Sequence, residues 1–528
     1  MAESAASLPT DSPIASLRQI VGNEHVIDDA GERTYYSQDI YAEGALAAAI
    51  VRPANADELS RAVAAITAAG YAVCPRGSGN SYTSGYIPTR DNTVVVDTLR
   101  MDRIVEINLD DMYVTVEAGC PWIKLHEALS EQGVRTPYWG PLSGLKSVVG
   151  GALSQNSVFF GSGNAGTAAD TVLSMDVVLA DGRIVSTGSA ASVNGAPFFR
   201  HYGPDLTGLF TGDTGALGVK AAATLRLIPT QPHKRFLSFA FDDYPSTVQA
   251  MAAVARSGLA TECFGFDPFL QGQRALRESV AKDVKTLGKV MGQAGSVMGA
   301  LKEGARMALA GRGYLDEVRY SVHIAVEQLT EDSADHAAET VRGLCAEHGR
   351  EIENTIPKAI HAYPFASLNS MIGPEGERWV PVHGIVPHSR AEETIRLIEA
   401  LYDDNRAVLD QFHIGVGYLL TTVSTTGTLI EPVFFWPDAI GEVQRRHVEP
   451  GHLAKMKSFP TDQAARGHVH RIRQAIMDVF TQVGGCHFQI GKAYPFAETR
   501  KPEALALLKA LKAAVDPDGL MNPGSLGL

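Results

Sequence analysis

Cysteine is scarce in this chain of 528 residues: there are five, and no two are spaced as Cys-x-x-Cys. A small, odd number of cysteines predicts neither a disulfide framework nor a cysteine zinc site, and it fits a reducing cytoplasm. Basic residues are also in deficit, with 46 Lys and Arg against 59 Asp and Glu, so the formal net charge is −13. Neither a nucleic acid nor an anionic membrane surface is therefore expected as the main partner. The composition therefore favours a protein that acts on a small molecule.

Long hydrophobic runs are missing as well, since no apolar stretch approaches the roughly 20 residues of a membrane-spanning helix. The nearest one, residues 290–313, is interrupted by Lys302, Glu303 and Arg306. We interpret it as a helical hairpin of the fold, with a peripheral membrane contact as the alternative. No basic region precedes an apolar run at the N-terminus, so no secretory signal is predicted. The length predicts two to four domains with substantial cores.

Local patterns predict how the first half of the chain is organised. Asn55, three residues before Glu58, predicts the start of a helix that ends at Gly70, and a second helix is predicted from Pro121 to Gly133. β-prone runs surround a glycine-rich loop at 75–85, which therefore lies between strands. A second glycine-rich stretch, residues 140–170, is predicted to lack regular secondary structure. The run that follows it predicts a hairpin with its turn at Ala180, Asp181 and Gly182.

The second half alternates strand-like runs with long helical segments from about residue 231 to residue 496. This alternation predicts an α+β domain whose sheet is covered by helices on one face. A final helix and turn follow, with the helix stopped at Asp516 and Pro517.

The loop "PRGSGNSYTSG", residues 75–85, is a candidate phosphate cradle because glycine leaves backbone N–H groups free to point at phosphate oxygens. The dinucleotide fingerprint GxGxxG is not met, because Tyr82 occupies its third glycine position and a strand follows instead of a helix. An ATP loop is excluded because the stretch contains no lysine. A plain surface turn is the alternative, but three further glycine clusters in the same half favour an extended groove for a long cofactor.

Five ordered motifs together resemble the FAD-linked oxidases of the vanillyl-alcohol oxidase and p-cresol methylhydroxylase superfamily: "VCPRGSGNSYTSG", "VTVEAGCPWIKLHEAL", the stretch at 147–188, "GPDLTGLFTGDTGALGVKAAATLRLIP" and "VDPDGLMNPG". The resemblance implies an α+β protein with a two-subdomain FAD-binding domain of the PCMH type and a ferredoxin-like α+β cap, the FAD-linked oxidase C-terminal domain. The implied boundaries are 1–44 for the N-terminal lead and first helices, 45–230 for the FAD-binding domain, 231–496 for the cap and 497–528 for a segment that returns to the FAD domain.

The resemblance also implies which residues contact FAD. The first loop would surround the diphosphate, and the other glycine clusters and the tail would border the rest of the cofactor. The implied residues are Pro75, Arg76, Gly77, Ser78, Gly79, Asn80, Ser81, Gly119, Pro141, Leu142, Ser143, Gly150, Gly151, Ser154, Gly163, Gly166, Thr167, Gly215, Gly218, Val219 and Asn522. Some relatives tether FAD through a histidine in the first loop, where this chain has Asn80 and Ser81. A covalent bond from that loop is therefore excluded, whereas one from the cap, for example from His413, stays open.

Catalytic candidates come from the end of the cap. We predict His487 as the base and Tyr494 as a hydrogen-bond donor to the substrate oxygen. Arg471 and Arg473 are assigned to a solvated helix face. The cap aromatics could line a pocket or simply pack in the core; they are Trp379, Trp436, Phe434, Phe435 and Phe488.

No metal is predicted. Hydroxy-acid dehydrogenases of this superfamily carry a motif resembling HxGDGNxH, and only His413 matches it among its metal-binding positions.

The sequence thus predicts an FAD-dependent oxidoreductase that takes a hydride from an alcohol or benzylic carbon of an aromatic or bulky substrate. The alternative is a metal-independent D-2-hydroxy-acid dehydrogenase, and a third hypothesis is a flavin-binding subunit without catalysis of its own. Oxygen, a quinone or a cytochrome stays open as the electron acceptor, and a homodimer is compatible with the sequence. We expect a cytoplasmic protein that binds a small-molecule substrate and no nucleic acid.

Overall fold

Four β-sheets and the helices packed on them make up residues 12–273 and 318–528, the part of the chain that the structure, a computed structural model, describes. The strands β1 to β19 are Val26–Ile27, Ala49–Val51, Ala72–Arg76, Thr93–Asp97, Ile104–Asn108, Tyr113–Glu117, Val134–Arg135, Val172–Val178, Ile184–Ser186, Val219–Arg226, Ile228–Pro229, His233–Phe241, Glu262–Phe266, Tyr320–Gln328, Arg350–Ile352, Arg378–Pro381, Gly384–Pro387, Gly415–Val423 and Gly427–Trp436. The α-helices of these residues, α1 to α16, are Ile14–Val21, Ala30–Tyr36, Ala56–Ala68, Trp122–Ser130, Val149–Gln155, Ser162–Ala165, Leu206–Leu209, Tyr244–Ser257, Glu331–Ala346, Thr355–Ala362, Ala391–Asp404, Arg406–Gln411, Glu442–His447, Pro450–Leu453, Gln463–Gln482 and Pro502–Val515.

The first sheet has the strand order β1-β2-β4-β3, and β2 and β3 both run parallel to β4. Helix α3 packs on it through Leu59, Val63 and Ile66, which are fully buried. Asn55 caps this helix by accepting a hydrogen bond from the Glu58 N–H at 2.9 Å. The predicted helix start is confirmed, and so is the position of the glycine-rich loop between β3 and β4.

The second sheet is antiparallel, in the order β5-β6-β10-β8-β9. Its β8–β9 hairpin confirms the predicted turn, in which Gly182 has a φ of +84° and the Leu179 N–H donates to the Arg183 carbonyl at 2.9 Å. The prediction for residues 140–170 is wrong in one respect, because the stretch contains helices α5 and α6. Pro121 lies at the N-cap of α4 instead of in its first turn.

The cap sheet has eight strands, in the order β15-β12-β14-β13-β18-β19-β16, with β17 also paired to β19. Helices α8, α9, α11 and α15 bury one of its faces, so that Val248, Val341, Ile395 and Ile472 share a core with Ile430 of β19. The α+β cap with helices on one face is thereby confirmed. Strand β18 begins two residues after His413, the residue that matches the metal motif.

The C-terminal segment returns to the first sheet, as the family resemblance implied. The Val73 N–H of β3 donates to the Leu520 carbonyl at 2.8 Å, and the Asn522 N–H donates to the Val73 carbonyl at 2.7 Å. Across the ranges 12–273 and 318–528, no helix is both long and apolar enough to cross a membrane. The stretch at 290–313, interpreted above as a helical hairpin, lies outside the described residues.

Candidate active site

A cavity of about 580 Å³ lies between the loops of the N-terminal half and the cap sheet. The N-terminal half contributes the loop after β3, the turn at 141–143, helix α5 and the turn at 214–215. The cap contributes β13, β16, β18, β19 and the segment 363–371. One half of the wall is therefore rich in glycine and backbone groups, and the other half is made of side chains.

The loop after β3 presents a row of free donors to this cavity. Among the described residues, none accepts a hydrogen bond from the backbone N–H groups of residues 77–82, although all six residues line the cavity. Gly79 has a φ of +72°, and a side chain there would meet the Arg76 guanidinium at 2.5 Å. Successive free N–H groups in a turn of this kind bind anionic oxygens, above all those of a phosphate.

Close approach of two backbones explains further glycines of the lining. A Cβ on Gly77 would lie 2.5 Å from the Val148 side chain, and a Cβ on Gly150 would lie 2.7 Å from the Ala118 Cβ. Only glycine fits at either position. The Asn80 side chain donates to the Ser147 hydroxyl at 3.0 Å, whereas its Oδ1 is buried without a partner among the described residues. At this end of the cavity, the Asn80 Oδ1 and the backbone N–H groups of residues 77–82 can therefore still form hydrogen bonds with a ligand.

Strand alternation determines what the cap presents to the cavity. On β19 the residues Leu429, Glu431, Val433 and Phe435 line the cavity, while the intervening side chains enter the helix-covered core. Register places Leu419 of β18 beside Glu431 and Phe266 of β13. The cavity face of the cap sheet is therefore apolar, with one carboxyl group in the middle.

Glu431 is the only charged side chain that the described part of the cap contributes to the lining. No described residue forms a hydrogen bond or an ion pair with its carboxylate, and the enclosed surroundings raise its pKa to about 8 by desolvation. Tyr82 lies close by: its ring packs edge-on against Trp379 with the centroids 5.4 Å apart, and the Gln489 side chain lies near its hydroxyl. Burial, followed by the charge of Glu431, raises the pKa of Tyr82 well above its usual range.

Family models match both halves of the chain. One described as an FAD binding domain matches residues 47–188, and one described as the C-terminal domain of FAD linked oxidases matches residues 230–526. The second match alone covers more than half of the chain. The chain belongs to the FAD-linked oxidase family. It is accordingly an oxidoreductase that uses FAD, and the free N–H groups and the close backbone approaches fit the diphosphate of that cofactor.

Curated relatives match this FAD-linked oxidase over part of its length. A glycolate oxidase subunit of Bacillus subtilis is 29% identical over 239 residues, which are 45% of this chain and 49% of the relative. A mitochondrial D-lactate dehydrogenase (cytochrome) of Saccharomyces cerevisiae is 26% identical over 258 residues, or 47% of this chain and 42% of the relative. The chain thus spans about half the length of the curated relatives it matches.

Solved structures show the same fold over almost the whole FAD-linked oxidase. p-Cresol methylhydroxylase with bound substrate superposes with a TM-score of 0.72 at 15% identity, covering 98% of this chain and 96% of the other. 4-Ethylphenol oxidase from Gulosibacter chungangensis superposes with a TM-score of 0.69 at 16% identity and the same coverage. The predicted architecture, a PCMH-type FAD-binding domain with an α+β cap, is confirmed.

The structure brings together most of the predicted FAD contacts of this oxidase. Fifteen of them line the cavity: Pro75, Arg76, Gly77, Ser78, Gly79, Asn80, Ser81, Pro141, Leu142, Ser143, Gly150, Gly151, Ser154, Gly215 and Val219. Whether each of them contacts FAD stays a prediction.

Three predicted contacts lie outside the lining because they connect other parts of the chain. Gly163 packs on the cap, where its N–H donates to the Thr261 carbonyl at 2.8 Å. Gly166 and Thr167 belong to a turn in which the Thr167 N–H donates to the Asp170 carboxylate at 2.7 Å. The structure gives them hydrogen bonds within the protein, and their contact with the cofactor stays a prediction.

Gly119, Gly218 and Asn522 also lie outside the lining. A Cβ on Gly119 would lie 2.0 Å from the Thr98 carbonyl, and one on Gly218 would lie 2.5 Å from the Val177 side chain, so both glycines serve close packing. Asn522 donates from Nδ2 to the carbonyls of Gly85 and Thr214 at 2.7 and 2.6 Å. Since Gly85 and Thr214 line the cavity, the tail supports the cofactor loops from behind.

The predicted catalytic pair lies one layer behind the cavity wall. His487 stacks on Tyr494 with the ring centroids 4.2 Å apart, and its Nδ1 donates to the His383 carbonyl at 2.8 Å. The His383 ring in turn stacks on Phe488, which does line the cavity. Burial lowers the pKa of His487. Neither His487 nor Tyr494 lines the cavity, so their catalytic role stays a prediction that the geometry does not favour.

Glu431 was missed because its position depends on which face of the cap sheet the helices cover. The signal in the sequence was a single acidic residue within the apolar run "TLIEPVFFW" of β19. Trp379, Phe435 and Phe488 do line the cavity, whereas Phe434 and Trp436 enter the core.

Two basic residues are placed differently from the sequence-based interpretation. Arg473 is 2% exposed with its guanidinium 4.1 Å from the centroid of the Tyr41 ring, so its assignment to a solvated face is wrong; Arg471 is exposed as predicted. His413 is exposed and outside the lining, which leaves it without access to the cavity.

In the described part of the chain, no group of three or more His, Cys, Asp or Glu side chains is arranged to hold a metal ion. The metal-independence of the enzyme stays a prediction.

Proposed function

We propose that this FAD-linked oxidase oxidises a neutral, hydroxyl-bearing aromatic or bulky apolar substrate, and that Glu431 accepts the proton of the hydroxyl group. The observation that carries the proposal is the position of Glu431 as an unpartnered carboxyl on a cap-sheet face whose other lining side chains are mainly apolar and aromatic. A half-buried, desolvated carboxyl of this kind is a suitable proton acceptor, because a pKa raised to about 8 lies in the range of a useful general base.

The aromatic wall would hold the substrate. Trp379, Phe435 and Phe488 line the cavity around Glu431, and aromatic rings of this size exclude water and pack against planar or bulky apolar groups. The Tyr82 hydroxyl, whose pKa is affected by the charge of Glu431, is a further hydrogen-bonding group on the same side. A substrate hydroxyl between Tyr82 and Glu431 would have one donor and one acceptor.

Bound FAD would supply the hydride acceptor, so the protein has to hold the reacting carbon, remove one proton and exclude water. Glu431 can remove the proton only while it is ionised. Since desolvation raises its pKa to about 8, proton removal should become more efficient as the pH rises towards that value.

The charged side chains that line the cavity favour a neutral substrate over one that carries a carboxylate. A 2-hydroxy acid needs a cation beside its carboxylate, and the described part of the cap contributes none to the lining. Of the cations in the N-terminal lining, Lys220 is paired with Asp213 at 2.6 Å, and Arg76, the last residue of β3, has its guanidinium over the Tyr35 ring. A carboxylate beside Glu431 would also meet a like charge.

Oxidation of a D-2-hydroxy acid is the second candidate, and the observation in its favour is sequence similarity. The curated relatives include a glycolate oxidase subunit and a D-lactate dehydrogenase.

Anaerobic mixing of the holoenzyme with single substrates distinguishes the two candidates. We expect 4-hydroxybenzyl alcohol or vanillyl alcohol to bleach the flavin absorbance near 450 nm and D-lactate to leave it unchanged. Bleaching by D-lactate alone would reverse the order of the candidates. No bleaching by any of the three would contradict both and favour the flavin-binding subunit without catalysis.

A further inference from the structure

Tyr86 lies next to the row of free N–H groups and lines the same cavity. Its side chain is 6% exposed, and its hydroxyl lies 2.7 Å from the Gly79 carbonyl and 2.8 Å from the Ser81 carbonyl. A phenol has one hydrogen to donate, so the two carbonyls share it. Both are carbonyl groups of the loop that faces the cavity.

The geometry of the peptide bond determines which way the N–H groups that follow these two carbonyls point. The described peptide bonds are all trans, and in a trans peptide the C=O of one residue and the N–H of the next point in opposite directions. Carbonyls 79 and 81 are turned toward Tyr86. The N–H groups of Asn80 and Tyr82 are therefore turned away from the Tyr86 hydroxyl, and both residues line the cavity.

Arg76 fixes the ring that carries this hydroxyl. Its guanidinium carbon lies 4.8 Å from the centroid of the Tyr86 ring and 4.8 and 4.5 Å from those of Tyr35 and Tyr36. A cation over an aromatic face is stabilising, and more so away from water. Arg76 itself is 3% exposed, and none of its nitrogens is ion-paired with a described carboxylate. The guanidinium thus lies beneath the loop, next to Gly79.

We propose that Tyr86 is a positioning residue for the cofactor: its hydroxyl, clamped by Arg76, orients the N–H groups of Asn80 and Tyr82 to bind a diphosphate. The ligand chemistry is that of a nucleoside diphosphate, which FAD and ADP have in common. Burial raises the pKa of Tyr86 well above its usual range, so the hydroxyl stays a donor at every working pH.

The direct test removes only the hydroxyl. We expect Tyr86→Phe to raise the Kd of the apo-chain for ADP and for FAD by the same factor, roughly threefold to tenfold, as one lost hydrogen bond would. ADP is the informative probe because it has the diphosphate but no flavin ring, so a change in the substrate pocket cannot alter its affinity. Equal affinity of Y86F and wild type for ADP, or weakening for FAD alone, would overturn the proposal.

Tyr36→Phe is the matched control. Tyr36 also packs on Arg76, but its hydroxyl donates to Asp97 at 2.6 Å and does not reach the loop. Both variants should lower the melting temperature, whereas only Y86F should change ADP affinity. A Y36F chain that loses ADP affinity as strongly as Y86F would show that packing around Arg76, and not the orientation of the loop, determines binding.

Amide hydrogen exchange on the wild-type chain tests the same claim without a variant, in case Y86F does not fold. ADP should slow exchange in the segment 77–84, since the free N–H groups of Asn80 and Tyr82 would then be hydrogen-bonded. No added protection of this segment by ADP would contradict the proposal.

Discussion

At the scale of single residues, Glu431 places one carboxyl group in a mainly apolar wall, which costs the folded state free energy. Glu431 has no partner among the described residues, and desolvation raises its pKa from 4.5 to about 8. The ionised carboxyl lowers the free energy of unfolding, because it is better solvated in the unfolded chain than in the folded one. That cost can be measured separately from activity.

Glu431→Gln should stabilise the apo-chain, and more so at high pH. The folded-state pKa is raised, so wild type suffers no penalty below pH 4.5, loses stability as the pH rises between 4.5 and 8, and bears the full penalty above 8. The full penalty is at most about 5 kcal/mol. Urea unfolding at pH 5 and pH 9 measures it: we expect little difference between E431Q and wild type at pH 5 and a clear gain for E431Q at pH 9. An equal difference at both values would refute the raised pKa.

At the scale of elements, helix α5 shows how glycines are placed by neighbours in space. Gly150 lies in its first turn, and its N–H donates to the Ala118 carbonyl at 2.8 Å. A Cβ there would lie 2.7 Å from the Ala118 Cβ and 2.9 Å from its carbonyl oxygen. The helix could not approach the second sheet this closely with alanine at 150.

Gly150→Ala should therefore lower stability by about 1–3 kcal/mol and reduce the FAD content of the purified protein, because the helix has to move away from Ala118. Gly467→Ala in helix α15 is the control: nothing lies within 4 Å of a Cβ there, and alanine should stabilise the helix by roughly 0.5–1 kcal/mol. Thermal unfolding and the ratio of flavin to protein absorbance check both. A G150A chain with wild-type stability and flavin content would show that α5 has room to adjust.

Elements with local signals could be predicted from the sequence, and those determined by distant neighbours could not. Helix α3 was predicted because Asn55 and the apolar spacing lie within it. Helix α5 was missed because the reason for its glycines is Ala118, some 30 residues earlier in the chain. In the same way the glycine loop indicated the cofactor, whereas Glu431 could not be recognised without the register of β13, β18 and β19. The glycines at 163 and 166 resemble those of the loop in sequence but serve packing and turn formation.

At the scale of the whole molecule, the two halves of the wall have to stay in register for the cavity to exist. A buried ion pair crosses between them: Arg135 of β7 donates to Glu327 of β14 at 2.6 Å, with side chains 9% and 2% exposed. Glu262 of β13 also accepts a hydrogen bond from the Gly161 N–H at 2.7 Å. These contacts bind the cap to the N-terminal half next to the cavity.

Arg135→Met should destabilise the protein by roughly 1–3 kcal/mol, because the buried Glu327 loses one of its two close cations and keeps Lys234 at 2.7 Å. It should also increase proteolytic cleavage near residue 230, where the chain passes into the cap. Arg183→Met removes an exposed ion pair with Asp181 and should change stability by less than about 0.5 kcal/mol. If R135M and R183M unfold at the same urea concentration, the contact does not hold the two halves together.

The most direct test of the central claim is the rate of anaerobic flavin reduction in wild type and E431Q, measured from pH 6 to pH 10 with whichever aromatic alcohol bleaches the wild-type flavin. We expect the wild-type rate to rise with pH and to level off above about 8, where Glu431 is ionised. We also expect E431Q, at equal flavin content, to be slower by a factor of roughly 10²–10⁴ and to lack that step. An E431Q enzyme that reduces its flavin at the wild-type rate with the same pH step would contradict the account.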